Sequence, residues 1–338
     1  MGFNQVLFAE TAIVACELAQ VEYREPKALG RPVRSRALNK SRNNLDGSII
    51  YFGLDNGVIF NWVSGVTVYF FPGVDGEQSE EKKREFQEKA KALQSEYRSR
   101  IVAQNVAASS VAVDILMASR GANRAHGYLV KKSITFAHRY LRRIPKREAL
   151  QYIRKGGILN EEGRTQSLGG LTDNLLVVPV QNAEGETTSI QFIDENGNKR
   201  FLLGGAQKGC YWSTLLHTKE GKTSPVIGIC EGVATALSLY HQKQIPVIAS
   251  FSANNLQSVA VKIRELYPNR QIIIFADRDP SGVGVNRAQE TARALGACAL
   301  VKCPTFSEEL TARYKAIHGA EKVPTDYNDL YALLGVIE

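Results

Sequence analysis

The chain has 338 residues, 44% of them apolar and 22% charged, with a formal net charge of +8. That length and balance exclude a disordered or fibrous protein and accommodate about two domains with cores of their own. The positive excess suits a polyanionic partner without requiring one. Five cysteines (Cys16, Cys210, Cys230, Cys298, Cys303) lack ligand spacing; they fit reduced thiols in a cytoplasmic protein, with no structural zinc expected.

No basic leader opens the chain, and Glu10 and Glu17 interrupt its first apolar residues, so a signal peptide is not expected. Apolar spacing at Val6, Phe8, Ile13, Val14 and Leu18 predicts a helix over residues 2–19. A loop-rich run from Arg24 to Arg42, which includes Arg31, Arg34 and Arg36, holds seven basic residues and one acid. It reads either as a solvated surface or as a set of phosphate contacts. From Leu45 to Pro72, strand-like runs alternate with Asp-Gly and Asn-Gly turns, which predicts a small antiparallel meander. Asp55, Asn56 and Asn61 break this stretch, so no membrane span is expected from it. Its aromatic residues Tyr51, Phe52, Phe60, Trp62 and Tyr69 read first as core.

From Ser79 the sequence becomes charged and free of Gly and Pro, predicting one or two helices to about Arg120, with Ser79 as N-cap. The densest basic cluster follows: Lys131 and Lys132, then Arg139, Arg142, Arg143, Lys146 and Arg147. Tyr128 and Tyr140 alternate with this charge, the mixture that single-stranded nucleic acid favours. Tyr-Leu pairs of this kind also anchor segments to a core. Residues 173–209 read as hairpins and end in Lys199-Arg200-Phe201 and Gly204-Gly205-Ala-Gln-Lys208-Gly209. Gly221-Lys222-Thr223 is not a P-loop, because Leu216 stands where the first glycine belongs and a strand follows it.

Residues 226–284 alternate apolar runs with helical stretches as βαβαβ, a parallel sheet covered on both faces. In such sheets the working site lies at the carboxyl ends of the strands. Glu231-Gly232 ends the first run and Asp277-Arg-Asp279 the third. Two-residue spacing on a strand would send Asp277 and Asp279 in one direction. Carboxylates gathered there repel one another unless a cation joins them, and oxygen-only ligands suit Mg²⁺ or Mn²⁺. A further helix, a fourth strand and Pro324-Thr-Asp326-Tyr-Asn328-Asp329 complete the chain.

The Glu-Gly and Asp-x-Asp pair resembles the Toprim domain of bacterial-type primases, type IA and II topoisomerases and certain nucleases. Asn174-Leu-Leu, Lys199-Arg200-Phe201 and the glycine-flanked Lys208 resemble the lobe that precedes Toprim in such primases. Asn44-Leu-Asp-Gly47 and His126-Gly-Tyr-Leu-Val-Lys-Lys132 resemble motifs of plasmid- and phage-encoded Toprim primases. The resemblance implies an α/β fold: a Rossmann-like Toprim domain preceded by an α+β primase lobe and a small N-terminal module. The expected limits are 1–75, a helical linker at 76–121, the lobe at 122–218 and Toprim at 219–338.

It also implies a DNA primase that makes short primers from nucleoside triphosphates on single-stranded DNA. Glu231, Asp277, Asp279, Asp326 and Asp329 would hold the metal, with Glu231 a ligand or the base. Lys199, Arg200 and Lys208 would bind nucleotide. Arg34, Arg36, Lys131, Lys132, Arg139, Arg142, Arg143, Lys146 and Arg147 would grip the template. Thr235 stands where replicative primases often carry a further acid, and Asn328 where an aspartate is often found. The chain reads as a minimal primase or as the partner of a separately encoded helicase. A Toprim nuclease and a non-catalytic single-strand-binding protein are the alternatives.

Overall fold

The computed structural model describes residues 6–26, 29–40, 44–73, 79–134, 141–159, 164–214, 219–296 and 299–337. They fall into two compact units, residues 1–101 and 102–338.

In the first unit, β1 (Val6–Ala9) and α1 (Ala12–Ala19) precede β2 (Pro32–Ser35), β3 (Gly47–Tyr51), β4 (Gly57–Asn61) and β5 (Thr67–Phe70). The sheet order is β1-β5-β4-β3-β2, and the meander β3-β4-β5 is the one the turns predict. The helix expected over 2–19 starts only at Ala12. Thr11 caps it by accepting from the Val14 amide at 3.3 Å, and the residues before it pair in parallel with β5. Phe8 stacks on Tyr69 with centroids 5.7 Å apart, so partners sixty residues away override the helical spacing. On the other face, Ala15, Cys16 and Ala19 pack with Ile49, Ile59, Val68 and Phe70. The Tyr51 ring is buried as expected, whereas Trp62 is 58% exposed.

The charged stretch is one 40-residue helix, α2 (Ser79–Ala118), and the unit boundary falls inside it. Its Arg98–Ala118 stretch is long and apolar enough to cross a membrane by length and composition, a feature the sequence reading passed over. Ala108, Val111, Ala112 and Ile115 on this stretch are buried against Ile144, Ile153, Leu175 and Phe192.

The second unit continues through β6 (Arg120–Gly121), α3 (Gly127–Lys131), β7 (Arg142–Pro145), α4 (Lys146–Lys155), β8 (Asn174–Gln181), β9 (Thr187–Asp194) and β10 (Lys199–Phe201). These strands form an antiparallel sheet in the order β10-β9-β8-β7-β6. Then come β11 (Trp212–Ser213), α5 (Lys219–Thr223), β12 (Val226–Cys230), α6 (Val233–Lys243), β13 (Val247–Ala249), α7 (Ala253–Leu266) and β14 (Gln271–Phe275). The chain closes with α8 (Val283–Leu295), β15 (Ala299–Lys302), α9 (Glu308–His318) and α10 (Tyr327–Leu334).

The second sheet runs β11-β13-β12-β14-β15. Its four long members are parallel, and β11 adds an antiparallel edge. Cores cover both faces, as a parallel sheet requires. Leu256, Val259, Ile263 and Ala288 from α7 and α8 line one side. Val233, Leu237, Tyr327 and Tyr331 from α6 and α10 line the other, in a core continuous with Tyr128 and Leu129 of α3 and Leu176 of the antiparallel sheet. The two sheets of this unit therefore share apolar packing.

Candidate active site

The acids collect at the carboxyl ends of β12 and β14 and at the start of α10. Glu231 directly follows β12, whose Cys230 is fully buried. The Glu231 carbonyl accepts from the Phe251 amide at 2.9 Å, and its carboxylate accepts from the Ala253 amide at the start of α7. Burial nonetheless pushes the Glu231 carboxyl above its ordinary range, against the Ala253 bond, with Asp279 and Asp326 adding to the rise.

Asp277 lies two residues beyond β14, partly buried. Burial first, then Asp326, Glu231, Asp329 and Asp279, raise its pKa to about 8. Its Oδ1 is buried without a hydrogen-bond partner. Asp279 behaves oppositely. Its Oδ1 accepts from the Ser281 amide at 2.9 Å and from the Ser281 hydroxyl, and its Oδ2 accepts from the Gly284 amide at 3.0 Å. These bonds hold its pKa below the ordinary carboxylate value.

The expectation that the two aspartates project from one strand face is therefore corrected. β14 ends at Phe275, and Asp279 turns back to receive the start of α8. Gly284 permits that closeness: a Cβ there would lie 2.6 Å from the Asp277 carbonyl oxygen.

Asp326 caps α10 by accepting from the Asp329 amide at 2.8 Å. Burial and the neighbouring Asp329 raise its pKa, opposed by Lys132. Asp329 is buried with both oxygens engaged. Oδ2 accepts from the Thr325 amide at 2.9 Å, and Oδ1 lies 3.6 Å from Lys132 Nζ. It braces Asp326 as the structure stands. Asn328, in the expected place of another acid, donates to the Lys132 carbonyl at 2.8 Å and to Ser238 Oγ at 3.0 Å. Thr235 is buried with its hydroxyl unpartnered.

Among the basic residues named from sequence, Lys199 reaches this cluster. It retains solvent access, yet surrounding atoms and Lys132 lower its pKa, opposed by Asp326, Asp277 and Glu231. Its ammonium lies 5.9 Å from the Tyr128 ring centroid. Arg200 alternates to the other face of β10. Lys208 is exposed and lines a cavity with Phe201 and Phe251 instead of sitting among the acids.

Several residues expected to grip template are occupied within the fold. Lys132 pairs with Asp329, as above. Arg142 donates from Nε to Ser119 Oγ at 2.8 Å and from a terminal nitrogen to the Ser119 carbonyl. Lys146 donates to the Leu171 carbonyl at 2.6 Å and lies 3.6 Å from Asp173. Lys131 donates to Asn196 at 3.1 Å, and the buried Nε of Arg143 has no partner. Arg34 sits 5.7 Å from the Trp62 ring centroid, and Arg36 lies 3.8 Å from Glu22. Arg147 is exposed. Arg139 and Tyr140 lie outside the described residues.

Tyr128, read as a face for bases, is 3% exposed, and its hydroxyl bonds the Ala234 backbone. It anchors the core instead. The sequence reading also missed Ser281, whose Asp-x-Ser turn is the local signal for a capped aspartate. Nothing local marks Lys132 as a partner of Asp329, 197 positions onward.

Residues 226–332 match the family model described as the Toprim domain. These residues are a Toprim domain. Over 156 residues, 42% of this chain, the sequence is 31% identical to DNA primase TraC of Escherichia coli. A second protein of that description and organism is 28% identical over 169 residues, or 46% of the chain. The matched stretches span 14% and 11% of those relatives. The solved structure of the DnaG primase catalytic domain bound to ssDNA overlaps 70% of this chain and 85% of its own, at 12% identity and a TM-score of 0.44.

The donor set fits a divalent cation. Every candidate ligand is a carboxylate oxygen, and the buried Asp277 Oδ1 has no other partner. Among the described residues, no group of three or more carboxylate, histidine or cysteine side chains lies placed to hold a metal ion as the structure stands. The arrangement is an open, mutually repelling edge.

Proposed function

We propose that this chain is the catalytic part of a DNA primase, joining nucleoside triphosphates into short primers on single-stranded DNA. The observation that carries the reading is Asp277. Its carboxylate, raised to about 8, has an orphaned oxygen beside Glu231, Asp279 and Asp326 at the carboxyl edge of a Toprim sheet. The likeness to proteins described as DNA primase adds to it.

Glu231, Asp277, Asp279 and Asp326 would hold Mg²⁺ or Mn²⁺, with Asp329 bracing Asp326. The bound ion supplies positive charge to the phosphate and hydroxyl oxygens of a nucleotidyl transfer. The protein's residues do the rest. Lys199 balances triphosphate charge from the start of β10. Glu231, fixed by the Phe251 and Ala253 amides, is either a ligand or the base that takes the proton of the 3′-hydroxyl as that oxygen bonds the α-phosphorus and pyrophosphate leaves. Arg147 offers an exposed cation to the template backbone.

A cytoplasmic setting, a helicase carried by another polypeptide, and the division into residues 1–75, 76–121, 122–218 and 219–338 belong to the same proposal. Incubating the protein with single-stranded DNA, Mg²⁺ and labelled nucleotides tests it. New template-dependent oligomers are expected. Degraded template would make the chain a nuclease, and a shifted band alone would make it a binding protein.

A further inference from the structure

Helix α2 changes character along its length. Ser79–Arg100 is densely charged, whereas Asp114 is the one charged residue between Ile101 and Ser119. One side of that neutral stretch is committed to the core through Ala108, Val111, Ala112 and Ile115. The other side faces solvent. Val102 is 60% exposed, Val106 66%, Val113 45% and Met117 80%. At 3.6 residues per turn these four fall within an arc of about 60° and run about 22 Å along the helix. A continuous apolar stripe on a helix surface marks an interaction face.

The stripe reads the same from either end. Its steps are four residues from Val102 to Val106, seven to Val113 and four to Met117. The midpoint falls between Ser109 and Ser110. The Ser109 hydroxyl donates to the Thr187 carbonyl at 2.7 Å, and Ser110 is exposed. Small side chains there let a second backbone come close. Antiparallel alignment with an identical helix sets Val102 against the partner's Met117 and Val106 against the partner's Val113. A hollow of about 250 Å³ opens beside Val102 and Val106, bounded by Thr188 and Ala206. The alignment carries the partner's Met117, an adaptable side chain, to that end of the stripe.

We propose that this face is covered by the same face of a second copy of the chain, the two helices antiparallel about a two-fold axis near Ser109 and Ser110. The pairing is isologous, so one stripe supplies both halves of the interface. Parallel alignment fits less well, because it lays the charged Ser79–Arg100 half of the helix along its own copy, like charge against like. A bilayer is a poorer cover too. The stretch has no aromatic residue or cation to hold it at a membrane surface, and its reverse side is already buried in the protein. Nucleic acid finds no cation on it. One helix pair buries less than about 1,200 Å² in total, so the dimer is weak and exchanges with single chains. Nothing in this pairing depends on the catalytic reading.

Sedimentation equilibrium of the full chain, from micromolar to submillimolar concentration, tests this. The wild-type mass should rise toward that of two chains. Val106→Lys with Val113→Lys sets ammonium against ammonium and should weaken association by on the order of a hundredfold. Val106→Glu with Val113→Lys decides the direction. Antiparallel pairing places each new carboxylate against the partner's ammonium, so association should persist within about fivefold of the wild type and weaken with salt. Parallel pairing would oppose like charges and abolish it. Because both variants carry two charges at the same exposed positions, the second separates lost pairing from lost folding, and circular dichroism should match the wild type in each. A wild type that stays a single chain at the highest concentration would overturn the proposal. So would undiminished association of the double-lysine variant, or a glutamate–lysine variant that does not associate. Single chains that bind phosphatidylcholine vesicles through Val106 and Val113 would give the face to a membrane and overturn it as well.

Discussion

Replacing Asp277 by asparagine should stabilise the metal-free protein, increasingly as pH rises. An ordinary aspartate in the unfolded chain titrates near 3.8, and burial among four other acids holds this one at about 8 in the fold. The folded state therefore binds the proton more tightly. The stability this group contributes is fully present below about pH 4 and is lost as pH rises through 8. At pH 7 the two values translate into a ceiling of roughly 4 kcal/mol. Water entering an open site relaxes much of that, leaving about 1–2 kcal/mol. For the 102–338 unit this is about 2–8 °C in Tm. Asparagine resembles the protonated acid, so urea unfolding of both proteins without metal should coincide near pH 4 and diverge by pH 8. Saturating Mg²⁺ should close the gap, because it stabilises the wild type more. A difference that ignores pH, or a variant less stable at pH 8, would refute the burial and repulsion assigned to this site.

Removing the Lys132 ammonium with methionine leaves Asp329, 8% exposed at its side chain, without its ion-pair partner. Urea unfolding should register a loss of about 1–2 kcal/mol, partly restored by Lys132→Arg. Arg142→Ala should cost a similar amount through its two bonds to Ser119 while leaving the salt dependence of single-strand binding unchanged. Arg147→Ala should keep stability and flatten the log–log salt slope by about 0.7, the share of one phosphate contact. Equal slopes for the Arg147 variant and the wild type would remove it from the template path. Gly284→Ala should displace the Asp279 turn, because its Cβ would meet the Asp277 carbonyl at 2.6 Å. Incorporation should fall at least tenfold while binding of DNA persists, and wild-type turnover would show that the turn tolerates the shift.

The parallel sheet was legible because its strands are uninterrupted apolar runs, Val226–Cys230 and Gln271–Phe275, bounded by turn residues. Their carboxyl ends located Glu231 and Asp277 by topology alone. The meander was legible from its Asp-Gly and Asn-Gly turns. What failed depended on distant partners. Val6–Ala9 became a strand because β5 lies beside it. Asp279 is the local exception: it left the strand face because β14 had ended and the nearby Ser281 and Gly284 offered donors. The basic cluster looked uniform in sequence. In the fold Lys132 braces an acid, Arg142 holds Ser119 and Tyr128 fills the core, while Arg147 is left to solvent. Composition records charge but not which charges are already satisfied.

The claim that these acids transfer nucleotides is tested most directly by labelled-nucleotide incorporation on single-stranded DNA in saturating Mg²⁺, comparing wild type with Asp277→Asn. The wild type should extend template-dependent oligomers. The variant should retain DNA affinity and a cooperative unfolding transition yet lose incorporation by about a thousandfold, as expected when the charge that organises a phosphoryl-transfer site is removed. Incorporation by the variant at the wild-type rate would contradict the account.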